Sequence, residues 1–166
     1  AGTHRTNAAL GVDIQHRDLP HEFGDSSDPD TTAFAQISVK DNTNEITTGF
    51  STGWLTIATS SEPLQALKGD LAPGLETLAE TWLGGGNYKA GLALLDSGDE
   101  LYGGGNAAGR RVQLPWGGSG FDFSKLNDDG KTIMQRAIDW AGGVPGPKPP
   151  IAHWKFDETT GTTAVD

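Results

Sequence analysis

The chain contains no cysteine. Disulfides, thiolate nucleophiles and cysteine-ligated metals are therefore excluded within these residues. Basic side chains are scarce, 12 Lys and Arg against 22 Asp and Glu, for a net charge of −10 with His neutral. Such a balance argues against partners that demand a cationic face, namely nucleic acid and anionic membrane surfaces. No apolar run is long enough to cross a bilayer, so membrane insertion is not expected. The chain opens Ala1-Gly2-Thr3-His4-Arg5, without an initiator Met or an apolar signal core, and reads as a trimmed start.

Glycine is plentiful, with 24 residues, and Thr, Ser, Asn and Asp fill the segments between apolar runs. Combined with the missing cysteine and a Pro-rich spacer, this composition points to a secreted or surface-displayed bacterial protein. Three segments follow from the pattern. Residues 1–141 form an α/β module, residues 142–150 (GGVPGPKPP) a semi-rigid extended linker, and residues 151–166 the first strand of a further domain. One strand cannot bury a face of its own, so a longer multidomain chain is expected.

Within the module, residues 10–14 form a short strand and residues 25–32 a loop. Residues 33–39 (AFAQISV) alternate apolar and polar side chains, as a half-buried strand does. Residues 40–44 form a turn, residues 54–58 a strand, and residues 63–71 have room for a helical turn. Residues 75–81 (LETLAET) are strand-like in position, although their composition would also suit a helix, and strands are further expected over residues 89–96 and 109–116, the last closed by Pro115. The string GGGN occurs at Gly84 and again nineteen residues later at Gly103, a spacing that suits successive strands joined by tight loops. A phosphate-cradling loop would need a helix directly after it, and neither copy has one. The expected architecture is a mixed sheet carrying an antiparallel meander, with few helices. One helix is clear, over residues 128–141. Asn127 is its N-cap, Asp128 and Asp129 sit at the positive dipole end, and Gly142 is the stop. Its apolar stripe runs through Ile133, Ala137 and Ala141, flanked by Met134 and Ile138, with Trp140 to one side.

Residues 89–95 (KAGLALL), 109–114 (GRRVQL) and 126–141 (LNDDGKTIMQRAIDWA) together resemble the C-terminal third of the class I glutamine-amidotransferase-like superfamily, in its ThuA-like branch. In that branch an antiparallel pair with a Gly-Arg-Val segment precedes a last helix ending Ala-x-x-Trp-Ala. The resemblance covers roughly residues 75–143 and implies a flavodoxin-like, amidotransferase-like fold whose N-terminal part is missing from this chain. It does not imply the family's chemistry, because the Cys is absent and no His lies between His21 and His153. It is closer still to modules of large secreted bacterial proteins that precede lectin-like domains. The tail, residues 153–166 (HWKFDETTGTTAVD), resembles the opening strand of a laminin-G/concanavalin-like jelly-roll domain, a type that binds glycans or proteins, often with Ca²⁺.

His16 and His21, with Asp13 and Asp18, offer imidazole and carboxylate ligands, without a defined metal spacing. Asp25, Asp28 and Asp30 present oxygens on a loop and suit Ca²⁺, although Pro29 interrupts them and no EF-hand Gly or Glu follows. Asp96, Asp99 and Glu100 with Asp122 could supply a glycosidase-like carboxylate pair, while residues 96–99 (DSGD) read more simply as a turn with Asx-type hydrogen bonds. Arg110 and Arg111 point to opposite faces, and at least one is expected to pair with a carboxylate. Trp116, beside a Gly-rich stretch, can stack on a sugar or close the core, and the core reading leads. No nucleophile-elbow pattern occurs.

The sequence therefore favours a non-catalytic scaffold or adhesion module of a secreted or cell-surface bacterial protein, beside a glycan- or protein-binding lectin-like domain. A carbohydrate-active hydrolase, or its substrate-binding part, and a subunit of an extracellular filament or layer are the alternatives. Expected partners are other domains of the same chain, a glycan or surface protein, and further copies of itself.

Overall fold

A computed structural model describes residues 12–13, 22–25, 29–116 and 120–143. Linker residues 144–150 and the tail, with the resemblance to a lectin-like strand, lie outside them, as do His16, His21, Asp18 and Asp28.

Eight strands and one α-helix make up the described residues: β1 (Val12–Asp13), β2 (Asp30–Phe34), β3 (Gln36–Val39), β4 (Gly53–Thr56), β5 (Glu62–Ala66), β6 (Glu76–Trp82), β7 (Tyr88–Leu95), β8 (Arg111–Gln113) and α1 (Asp128–Ala141). Six strands form one sheet in the order β1-β8-β7-β6-β3-β4, and β2 and β5 form a two-stranded sheet. All pairings are antiparallel except β1 with β8, so the sheet is mixed, as the sequence indicated.

β7 explains the most apolar run of the chain. Every residue from Ala90 to Leu95 is buried. Leu92 and Leu94 face a core completed by Ile37, Ile57, Val112 and Ile133, while Ala93 and Leu95 face a second one with Phe23, Leu67 and Ala107. A strand covered on both sides reads as a continuous apolar run rather than an alternation. The β6–β7 connection is the first GGGN loop: Gly84, Gly85 and Gly86 all take positive φ, which side chains with a Cβ rarely adopt.

The small sheet lies close against β6 and β7. Leu67 N–H donates to the Ala90 carbonyl (2.8 Å), Gln65 N–H to the Pro115 carbonyl (2.9 Å), and the Thr81 hydroxyl to the Gln65 carbonyl (3.1 Å). Gly91 permits this approach, because a Cβ there would overlap the Thr81 hydroxyl and stand 3.3 Å from the Gln65 carbonyl oxygen.

Four local expectations are corrected. Residues 63–71 hold no helical turn; β5 occupies Glu62–Ala66, its buried residues alternating along the strand and its edge position tolerating Pro63, which has no N–H to offer a ladder. The loop placed over residues 25–32 ends earlier, since β2 begins at Asp30. The single strand over residues 33–39 is two, because the Ala35 carbonyl accepts from both Ile57 N (2.9 Å) and Ala58 N (3.2 Å) and the chain bends there from one sheet into the other. Trp140 is not beside the helix stripe but in it. Gly130, Ile133, Ala137 and Trp140 are the buried residues of α1, and the Arg110 guanidinium lies 4.9 Å over the indole centroid.

The α1 boundaries match the sequence reading. Asn127 Oδ1 accepts from Gly130 N (2.9 Å), and Asn127 Nδ2 donates to the Thr56 carbonyl (2.8 Å), so one side chain caps the helix and ties it to the end of β4. Asn127→Ala removes both bonds and is expected to cost about 1–2 kcal/mol in urea unfolding. Asn127→Asp, which keeps an acceptor for the cap and loses the donor to Thr56, is expected to recover part of that loss. Equal stability of the Ala variant and the parent would contradict the dual role.

Candidate functional site

The polar-phase side chains of the sheet assemble an aromatic surface. In β4, Trp54 alternates with Leu55 and points with Thr56 away from the core; it is 49% exposed. Its register partner is Ser38 of β3, which is itself in register with Glu80 of β6. Two residues along β6, Trp82 stands opposite Tyr88 across the GGGN hairpin, and Tyr88 is 40% exposed. Phe34, where β2 bends towards β3, ties the group together. Its ring centroid is 5.6 Å from Trp54 and 5.2 Å from Trp82, and Trp54 is 5.8 Å from Tyr88. The interplanar angles of 46–67° are edge-on or tilted, the arrangement aromatic quadrupoles favour, and they leave ring surface of Trp54 and Tyr88 open to solvent.

Beside this surface runs an open groove of about 460 Å³ that shares Tyr88 with it. Leu71 and Thr77 line it together with the Lys40 Nζ–Glu80 Oε2 ion pair (3.2 Å) and with Lys89, whose Nζ pairs with Asp30 Oδ2 of β2 (2.7 Å). Each pair is part-exposed, so its contribution to stability is small. Its relevance to a ligand is different: each places a donor ammonium next to an acceptor carboxylate with no net charge.

A second feature sits where the β3–β4 loop meets the start of β6. Burial pushes the Glu76 carboxyl up from its ordinary value, and the nearby Asp41 carboxylate adds to the rise. Asp41 is held below its ordinary value, because the Thr43 backbone N–H and hydroxyl both donate to its Oδ1 at 2.7 Å. Asn44 Nδ2 donates to Glu76 Oε1 (3.4 Å). The linkage sign follows from the direction of the shift. A carboxyl with a raised folded pKa contributes stability below its unfolded value of about 4.5, and that contribution is lost as pH rises through the folded value. Glu76→Gln keeps an acceptor for Asn44 and offers Asp41 a donor. It is therefore expected to raise the melting temperature at neutral pH, with the gain shrinking to nothing below about pH 4. A pH-independent gain in a melting series would refute this assignment.

The residues singled out from the sequence go elsewhere. Trp116 is 4% exposed and packs against Phe121 at 6.3 Å, with no partner for its Nε1 among the described residues. A ring so enclosed has no open face for stacking, and its place is the core. Arg110 pairs with Asp96 (3.2 Å) and donates to the Trp140 carbonyl (3.2 Å), while Arg111 pairs with Glu22. Both arginines thus stitch elements together, on separate partners as their alternation requires. Asp30 is engaged by Lys89, and Asp25 N–H donates to the Asp70 carbonyl (2.9 Å). Among the described residues no three His, Asp or Glu side chains group to hold a metal ion. Asp96 and Asp99 make the Asx-type turn expected of DSGD, Asp96 N–H donating to Asp99 Oδ2 (2.6 Å) and Ser97 N–H to Asp96 Oδ1 (2.7 Å). Asp122 instead caps the short 3₁₀ turn Phe123–Lys125. The Ser124 hydroxyl and N–H hold its carboxyl below the usual range, and its own N–H donates to Glu62 Oε2 (3.1 Å). Asp96 and Asp122 are thus held by different partners, Asp96 by Ser97 and Arg110 and Asp122 by Ser124. Glu100 joins Asn106 in a bridge across the second GGGN loop.

Sequence reasoning missed Phe34, Trp54, Trp82 and Tyr88 as a group. The available signal was that Trp54 keeps the phase of Thr56 rather than of Leu55, and that Trp82 and Tyr88 flank a hairpin loop. The chain matches no protein-family profile, no curated protein and no solved structure. Among the described residues no helix is long and apolar enough to cross a membrane.

Proposed function

We propose that this chain is a non-catalytic adhesion or scaffold module of a secreted or cell-surface bacterial multidomain protein, an amidotransferase-like (ThuA-like) unit beside a lectin-like domain. One observation carries the binding role: two large aromatic rings, Trp54 and Tyr88, stand 49% and 40% exposed on a single ordered face next to a groove. Contiguous exposed aromatics are costly in water and mark interaction surfaces. The order of an antiparallel β7–β8 pair followed by α1 agrees with the ThuA-like resemblance, and the resemblance of the tail supports the modular, extracellular setting.

The purified chain is expected to bind intact cells or their extracted surface polymers saturably, and to leave the bound polymer unchanged in mass. A competing reading, a carbohydrate-active hydrolase, is favoured by one observation, the raised Glu76 carboxyl beside Asp41. Release of shortened polymer by the parent, abolished in Glu76→Gln while binding persists, would replace the adhesion reading with that one.

A further inference from the structure

The character of the exposed face narrows the ligand, and we propose that it is an uncharged, extended polysaccharide, lying over Trp54 and Tyr88 and running into the groove past Lys40–Glu80 and Lys89–Asp30. The inference rests on the adhesion reading and specifies its ligand. Three features of the surface point the same way.

The first is the rings. The Trp54 and Tyr88 ring centroids lie 5.8 Å apart, and Phe34 packs against both Trp54 and Trp82, so the exposed rings belong to one aromatic cluster rather than standing as two isolated residues. A pyranose presents C–H bonds on a flat face, and their partial positive charge meets the negative face of an indole or phenol. A chain whose sugars show such faces repeatedly fits a strip; a single compact ligand does not need one.

The second is charge. The two cations of the groove are each held by a carboxylate, at 3.2 and 2.7 Å, although the chain as a whole is strongly acidic. No cation is left over among these groups to draw an acidic polymer, and none of their carboxylates is left over to draw a basic one. Complementarity therefore favours a neutral ligand.

The third is hydrogen bonding. A sugar hydroxyl both donates and accepts. Two ammonium–carboxylate pairs, with the Thr77 hydroxyl, offer both functions alongside the apolar ring of Tyr88. An apolar lipid or a purely hydrophobic peptide face would cover these charged groups without offering them any hydrogen bond in place of water.

The test uses the full chain and soluble hexasaccharides of β-1,4-linked glucose, xylose and mannose, with polygalacturonate and a sulfated glycan as charged comparisons. Calorimetry or fluorescence quenching is expected to show binding to at least one neutral hexasaccharide, changing little as NaCl rises from about 0.05 to about 0.5 M. Trp54→Ala and Tyr88→Ala are each expected to weaken it by about tenfold or more, melting temperatures confirming that both variants fold. Phe123 is also exposed, at 48%, but lies outside the strip, in ring contact with Phe121, so Phe123→Ala is expected to leave affinity unchanged. Equal weakening by Phe123→Ala would reduce the effect to general stickiness and overturn the proposal. Binding only to the charged glycans, with steep salt dependence, or to cells but to none of the glycans, overturns the ligand assignment and leaves the adhesion reading standing. Release of cleaved sugars removes the adhesion reading itself.

Discussion

Leu92→Ala is expected to lower the unfolding free energy by about 2–5 kcal/mol. Leu92 has no solvent exposure and lies in the middle of β7, in the core shared with Ile57, Leu64, Leu78 and Ile133. Truncation removes the transfer energy of the lost methyl and methylene groups. It also leaves a cavity in a core to which strands of both sheets and α1 contribute. Against the roughly 5–15 kcal/mol that holds a domain of this kind folded, such a loss is a large fraction. The melting temperature should fall by roughly 10 °C in a thermal scan at neutral pH. Leu92→Met, which keeps volume, should cost under about 1.5 kcal/mol. If the Ala and Met variants melt together, Leu92 is not enclosed in the way described.

Gly130→Ala sets two effects against each other, and their magnitudes decide the sign. Gly130 is in the first turn of α1, where helix propensity favours Ala by about 1 kcal/mol. The surroundings oppose it. A Cβ at this position would overlap the Ile57 carbonyl oxygen and come within 2.8 Å of Leu126 Cδ2. The obstructing atom is backbone, and that backbone is fixed: the Ile57 carbonyl accepts from Asn127 N (3.0 Å), and Ile57 N is bonded to the Ala35 carbonyl (2.9 Å). The helix must therefore move off the sheet, opening the contact made by Ile133 and Ala137. Overpacking of this kind costs about 1–3 kcal/mol and more when backbone has to shift, so the net change is expected to be destabilising. Denaturant unfolding should show a lower midpoint for Gly130→Ala than for the parent. A variant more stable than the parent would mean that propensity governs and that the close approach is not real. The neighbouring exposed Asp129→Ala, also a change to Ala in the first turn, serves as the comparison, because it touches the helix dipole but not the packing.

Where neighbours in the chain set the structure, the sequence was legible. α1 was bounded at Asp128 and Ala141 because its cap, its first-turn acids and its glycine stop are local chemistry. β6, β7 and β8 were found because their apolar runs are punctuated by glycines that tolerate positive φ. β5 was missed because Glu62-Pro63-Leu64-Gln65-Ala66 carries no strong local preference. It is extended because β2 pairs with it and because Pro115 and Ala90 offer carbonyls to its end. Trp140 was misplaced for a similar reason, since the width of the helix stripe depends on what Arg110 and the sheet bring to its last turn.

Composition alone excluded cysteine chemistry within these residues and set a strongly acidic net charge, since these depend only on which side chains exist. Pattern alone supplied the closing helix and the meander around β7, since helix caps and glycine loops act over a few residues. Tertiary structure decided which aromatics are structural and which meet solvent. Trp116 and Trp54 look alike in sequence, each next to a glycine or a proline and near polar residues. One is enclosed by Phe121 and the core, and the other stands open beside Tyr88, because burial of a ring is set by strands and loops far away in the chain.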